Sequence, residues 1–216
     1  MTDQGKLIPT HGGYRNLKSF QLAQLIYDIT VRFCGRYIDK KSRTHDQMVQ
    51  AARSGVQNIA EGSQASGTSK KTELKLTNVA RASLEELRLD YEDFLRQRSL
   101  PMLGPDHPAL KRFKARRCSS LEEVRAWVVL EKKILDEHGR TLTNTNKKTE
   151  SSVQVSDSPC QSLSNSTLVA NAALSLLNLC CHLLDRQLAA QAASFEKEGG
   201  FTERLYRIRS QARRRA

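Results

Sequence analysis

Apolar positions recur with helical period in several long stretches, separated by polar or Pro/Gly-containing breaks. The first stretch predicts a helix over about residues 17–38. Phe20, Ala23, Tyr27, Val31 and Cys34 fall together on its wheel, and Leu22, Ile26, Ile29 and Phe33 widen that face. The apolar arc covers more than half the circumference, wider than one core-facing stripe requires. It therefore predicts partners on two sides, and Leu22, Ile26, Ile29 and Phe33 are read as an oligomer interface. A second helix is expected over 44–62, with Met48, Val49, Ala52, Val56 and Ile59 as its buried stripe. Gly55 lies beside that stripe, where a missing side chain allows close helix approach, and Gly62 suits the position just past the helix end. A third is expected over 69–96, capped by Thr68 or Ser69, with Leu76, Ala80, Ser83, Leu84, Leu87, Tyr91 and Phe94 on one face.

Leu100-Pro101 and Gly104-Pro105 end this regularity. Pro108 stands where a first helical residue belongs, opening a short basic helix. Ser120 and Glu123 then form a capping box for a helix ending at Gly139. Residues 140–166, rich in Thr, Asn, Ser and Lys, hold too little apolar surface to order themselves and read as a disordered linker. Helical period returns over 167–198, where Leu174, Leu177, Cys181, Leu184, Leu188 and Phe195 line one face. Gly199-Gly200 break it before a final basic helix.

The expected fold is all-α: an antiparallel up-and-down four-helix bundle with a helical insertion and a basic C-terminal helix. Its parts are a flexible leader (1–15), three bundle helices (16–99), a basic helical insertion (100–139), the linker (140–166), the fourth bundle helix (167–198) and the C-terminal helix (199–216).

Charge changes the picture from fold to partners. The formal net charge is +12, which draws a soluble protein toward polyanions, nucleic acid above all, or else serves solubility alone. Lys111, Arg112, Lys114, Arg116 and Arg117 form one basic cluster, and Arg204, Arg207, Arg209, Arg213, Arg214 and Arg215 form another. Helices of this kind hold phosphate backbones without reading sequence; a solvated charge run, or a site for an acidic protein, is the other reading. Ser69, Lys70 and Lys71 open the third helix, where unpaired backbone N–H groups and two ammonium groups attract phosphate. A capped, solvated helix start fits the same residues.

Other chemistry finds little footing. Cys34, Cys118, Cys160, Cys180 and Cys181 are odd in number and scattered, which suits buried free thiols in a reducing compartment better than a disulfide framework or a zinc site. The N-terminal stretch has no apolar core of a secretory signal. Leu168 to Leu184 is interrupted by Asn171, Asn178 and His182, so a buried helix is expected rather than a membrane span. A cytoplasmic protein with no membrane association is the expectation. His11, His45, His107, His138 and His182 are dispersed without a nucleophile partner, and there is no phosphate-binding Gly-rich loop. No enzyme activity, cofactor or metal is expected.

One ordered set of residues carries a resemblance. Asn58-Ile59-Ala60-Glu61-Gly62, then Ser69-Lys70-Lys71, then Ser83-Leu84-Glu85-Glu86-Leu87 resemble the bacterial four-helix-bundle family. That family includes the 23S rRNA intervening-sequence proteins and the accessory variability determinant of diversity-generating retroelements. The run from Asn171 to Leu177, continued through Glu198-Gly199-Gly200-Phe201-Thr202-Glu203-Arg204, is similar to its "suffix" branch. The resemblance implies ring-shaped homopentamers and, for the retroelement members, a basic partner of a reverse transcriptase and its template RNA. It also raises Asn58 and Glu61 from ordinary helix-end polarity to a polar contact across a subunit or helix interface. The 100–166 insertion and the Arg-rich tail depart from the compact family form. The function expected is a non-enzymatic, oligomeric, basic accessory protein that binds structured RNA or RNA/DNA. The alternative is a protein–protein scaffold of the intervening-sequence type with no nucleic-acid role.

Overall fold

The structure, a computed structural model, describes residues 8, 11–145 and 163–215. Every regular element among them is helical: a 3-10 turn at Tyr14–Asn16, then α1 (Lys18–Tyr37), α2 (Arg43–Ala65), α3 (Lys70–Gln97), α4 (Pro108–Arg116), α5 (Leu121–Thr145), α6 (Asn165–Glu198) and α7 (Phe201–Arg215). Residues 146–162 of the expected linker, Cys160 with them, and most of the expected leader lie outside the described residues.

Local chemistry sets most boundaries. Ser69 Oγ accepts from Thr72 N–H at 3.1 Å and so caps α3. Pro108 opens α4, with His107 Nδ1 accepting from Ala109 N–H at 3.3 Å. At α5, Ser120 Oγ accepts from Glu123 N–H at 3.3 Å, while the Glu123 carboxylate reaches back to Ser119 N–H at 2.6 Å rather than to Ser120. Gly199 ends α6 with φ +71, a conformation open to glycine.

Several expected boundaries move. Helix α2 runs on past Gly62 to Ala65. Gly62 is buried within it, because a Cβ there would lie 3.3 Å from both Glu73 O and Leu76 Cβ where α2 meets α3. Helix α5 passes through Gly139 to Thr145, and α6 starts at Asn165, capped by Ser164. Part of the leader is tied down: Gly12 N–H donates to Ser63 O at 3.2 Å, and Tyr14 meets Phe20 edge-on at 4.8 Å.

Helix α1 packs against α2 and α6, and α3 packs against the same two. Phe33 brings α1 to α3, its ring 4.9 Å from Tyr91 and 4.7 Å from Phe94. Below it Tyr91 OH and Thr30 Oγ1 share a hydrogen bond of 3.1 Å, and Thr30 donates on to Ile26 O at 2.7 Å. Burial pushes the Tyr91 phenol well above its ordinary value. A Cβ on Gly55 would lie 2.6 Å from Leu84 Cδ2, so the α2–α3 seam is built to glycine's dimensions.

The insertion does not stand apart. Phe113 of α4 and Trp127 of α5 pack at 4.7 Å, and both join the same core as α1, α3 and α6. Leu22 and Leu25 border a cleft with α4, while Ile29 and Phe33 border one with α5. This overturns the oligomer-interface reading: Leu22, Ile26, Ile29 and Phe33 are buried inside their own chain, none exposed above 6%. The second side of the wide arc is covered by the insertion, so the arc no longer argues for a second subunit.

Helix α6 is long and apolar enough to cross a membrane by length and composition alone, yet 67% of its most apolar window is buried within the protein. Its polar residue Asn171 serves inside. The side chain accepts from Leu103 N–H at 2.7 Å and donates to Pro101 O at 3.0 Å, pinning the chain between α3 and α4 onto α6. The four described cysteines are free and buried. Burial pushes the Cys34 and Cys180 thiols up to about 12 and Cys181 up to about 11.

Candidate nucleic-acid interface

A cation can hold phosphate only if no fixed carboxylate has claimed it, so each basic residue is placed by its partner. Arg112 is claimed. Its Nε and Nη2 donate to the two oxygens of Glu131, each at 2.7 Å, and Glu131 is fully buried. The Glu131 hydrogen bond raises the Arg112 guanidinium above its ordinary value. This side chain locks α4 to α5, and its assignment to nucleic acid is corrected: releasing it would leave a carboxylate buried without a counter-charge.

Other cations are held loosely or not at all. Lys111 meets Asp106 at 3.2 Å with both side chains largely exposed, an arrangement too weak to hold a lysine from another anion. Lys114 donates to Pro105 O at 3.0 Å, which leaves its charge uncompensated. Arg116 and Arg117 end α4 exposed and, among the described residues, without an ion pair; Arg117 adopts a left-handed conformation, φ +50, as the helix turns away.

At the start of α3, Lys70 lies 3.6 Å from Glu73, whose other oxygen accepts from Gln191 Nε2 at 3.1 Å. Lys70 thus belongs to a link between α3 and α6, while Lys71 is exposed. In α7, Arg207 donates to Glu198 O at 2.5 Å and Arg204 approaches the Glu198 carboxylate at 4.0 Å. These two fasten α7 to the end of α6. Arg209, Arg213 and Arg214 are exposed and unpaired among the described residues; the Arg215 side chain lies outside them.

Asn58 donates to Ser54 O at 2.9 Å and to Ser54 Oγ at 3.0 Å, and Ser54 Oγ meets Ser83 Oγ of α3 at 2.9 Å. The contacts that Asn58 makes are therefore within α2, and it is Ser54 that carries them across to α3 of the same chain. Glu61 is exposed. Among the described residues, no three His, Cys, Asp or Glu side chains converge to hold a metal.

Sequence reasoning passed over one cationic group. Arg32 and Arg36 of α1 and Arg125 of α5 face one cleft, all exposed and unpaired among the described residues. Arg32 and Arg36 are one turn apart on the polar side of α1, and Arg125 stands far from both in the chain. Only the packing of α5 beside α1 assembles them.

Residues 16–98 match the family model of the 23S rRNA-intervening sequence protein. The match spans α1, α2 and α3. The insertion, α6 and the Arg-rich α7 lie beyond it. No curated protein and no solved structure matches the chain.

Proposed function

We propose that this protein is a non-enzymatic, cytoplasmic RNA-binding accessory protein, built on an antiparallel up-and-down four-helix bundle of α1, α2, α3 and α6. The observation that carries this reading is the fate of the +12 charge. Lys71, Arg116, Arg117, Arg209, Arg213 and Arg214 are left outside without carboxylate partners among the described residues, and Arg32, Arg36 and Arg125 join them. Such a surface attracts the phosphate backbone by counterion release. The match of residues 16–98 to the 23S rRNA-intervening sequence protein favours RNA as the polyanion. The scaffold alternative draws on the wide apolar faces of α1 and α6; the insertion covers that of α1, while Leu179 and Phe195 of α6 stay exposed.

Retroelement membership, a reverse transcriptase as protein partner and ring assembly all rest on the resemblance of the ordered residues from Asn58 to Leu87 to the bundle family. The decisive experiment titrates the full chain against a structured RNA over a range of salt. Binding should weaken linearly in log–log form, with a slope of about −0.9 for each duplex phosphate engaged. No binding even at low salt rejects the reading. Co-purification with a reverse transcriptase encoded beside it tests the retroelement branch separately.

A further inference from the structure

The cleft between α1 and α5 combines two features that rarely serve the core. Its walls are apolar, formed by Tyr37, Val128 and Val169 with Phe33 behind them, and Arg32, Arg36 and Arg125 stand around it. The cavity is about 180 Å³, a little more than the roughly 150 Å³ that admits a benzene ring. Its mouth also meets the first turn of α6 at Asn165, where a helix 34 residues long presents its positive end. Asp28 and Glu122 lie one turn away on the same two helices, close enough that burial and the Glu122 charge raise the Asp28 carboxyl. Among the described residues neither carboxylate is ion-paired with the arginines. A purely apolar ligand would leave three guanidinium groups without purpose, and a bare phosphate would leave the apolar walls wet. A flat ring carrying phosphates on both sides satisfies both features.

We propose that this cleft receives one unstacked base of a single-stranded RNA, with Arg32, Arg36 and Arg125 holding the flanking phosphates. The proposal rests on the RNA-binding reading above and names where, and in what form, the RNA is held. Tyr37, half-buried and already leaning on Phe33 at 5.2 Å, offers its ring as the stacking surface.

The test measures fluorescence anisotropy of a labelled ten-nucleotide oligouridine, a wholly abasic strand of equal length, and a blunt RNA duplex against the full chain. The wild-type protein should bind oligouridine about 5- to 150-fold more tightly than the abasic strand, the span expected for stacking of one base. The triple variant Arg32→Gln/Arg36→Gln/Arg125→Gln changes only exposed side chains and should keep its thermal midpoint. Its salt slope should fall by about 2, given roughly 0.7 for each single-strand phosphate. Val129→Trp, at a rim position that is 57% exposed, should fill the cleft and erase the preference for bases over the abasic strand. The inference is overturned if oligouridine and abasic strand bind alike, if duplex binds as well as single strand, or if the triple variant is unchanged while Arg209→Gln/Arg213→Gln/Arg214→Gln loses affinity. In that last case RNA binding survives and is located on α7. A wild-type protein indifferent to all three probes removes the functional reading itself.

Discussion

The α4 cluster and the α7 cluster read almost identically as strings of lysine and arginine, yet only the α4 cluster gives up a cation, Arg112, to a buried carboxylate. In α4 the helix packs through Ala109, Leu110 and Phe113, and this brings Arg112 to a carboxylate that water cannot reach. In α7 the apolar residues Phe201, Leu205 and Ile208 are only half-buried, none joins the core, and the outer arginines stay in water. Density of positive charge therefore does not mark a binding surface by itself. What decides is whether the helix carrying the charge has apolar residues that dock it against buried acid.

The sharpest way to break this comparison is Arg112→Ala. It should destabilise the protein by about 3 kcal/mol in chemical denaturation, near the low end for an uncompensated buried charge because Arg112 itself is partly in water. The double variant Arg112→Met/Glu131→Leu should recover most of that loss, since apolar replacement of a whole buried pair is often neutral. A single variant within 0.5 kcal/mol of wild type would mean that Arg112 is as free as the α7 arginines.

Gly55→Ala probes the seam to which the insertion contributes nothing. The added methyl meets Leu84, which is fully buried, and should cost about 2 kcal/mol through overpacking. Asn171→Ala removes the amide that pins the approach to α4, leaving Leu103 N–H without its acceptor; the expected loss is about 1.5 kcal/mol. The smallest stability effect belongs to α7, where Arg209→Gln/Arg213→Gln/Arg214→Gln should move the unfolding free energy by less than about 0.5 kcal/mol. The same variant should bind structured RNA less tightly and with a shallower salt slope, readable in one titration series. A large loss of stability there would show that α7 is a core element after all.

Much of the helical layout was legible because its signals are local. Hydrophobic period located α1, α2, α3 and α6, and Ser69, Pro108, Ser120 and Gly199 marked ends through hydrogen bonds or backbone geometry that span a few residues. Gly62 misled for a reason equally physical: glycine serves helix ends and close helix contacts alike, and only the proximity of Glu73 and Leu76 distinguishes the two.

The sequence by itself determined that the chain is helical, where its helices run and that it carries excess positive charge, since those properties follow from neighbouring residues and from counting. Tertiary structure alone decided which charges remain available. Glu131 reads as one more surface acid until α5 turns it inward to Arg112, and Arg125 is remote from Arg32 and Arg36 until two helices lie side by side. The wide apolar arc of α1 likewise called for two partners, but only packing revealed that the second lay within the same chain. Charge pairing and burial depend on contacts between residues far apart in sequence, and no local pattern encodes them.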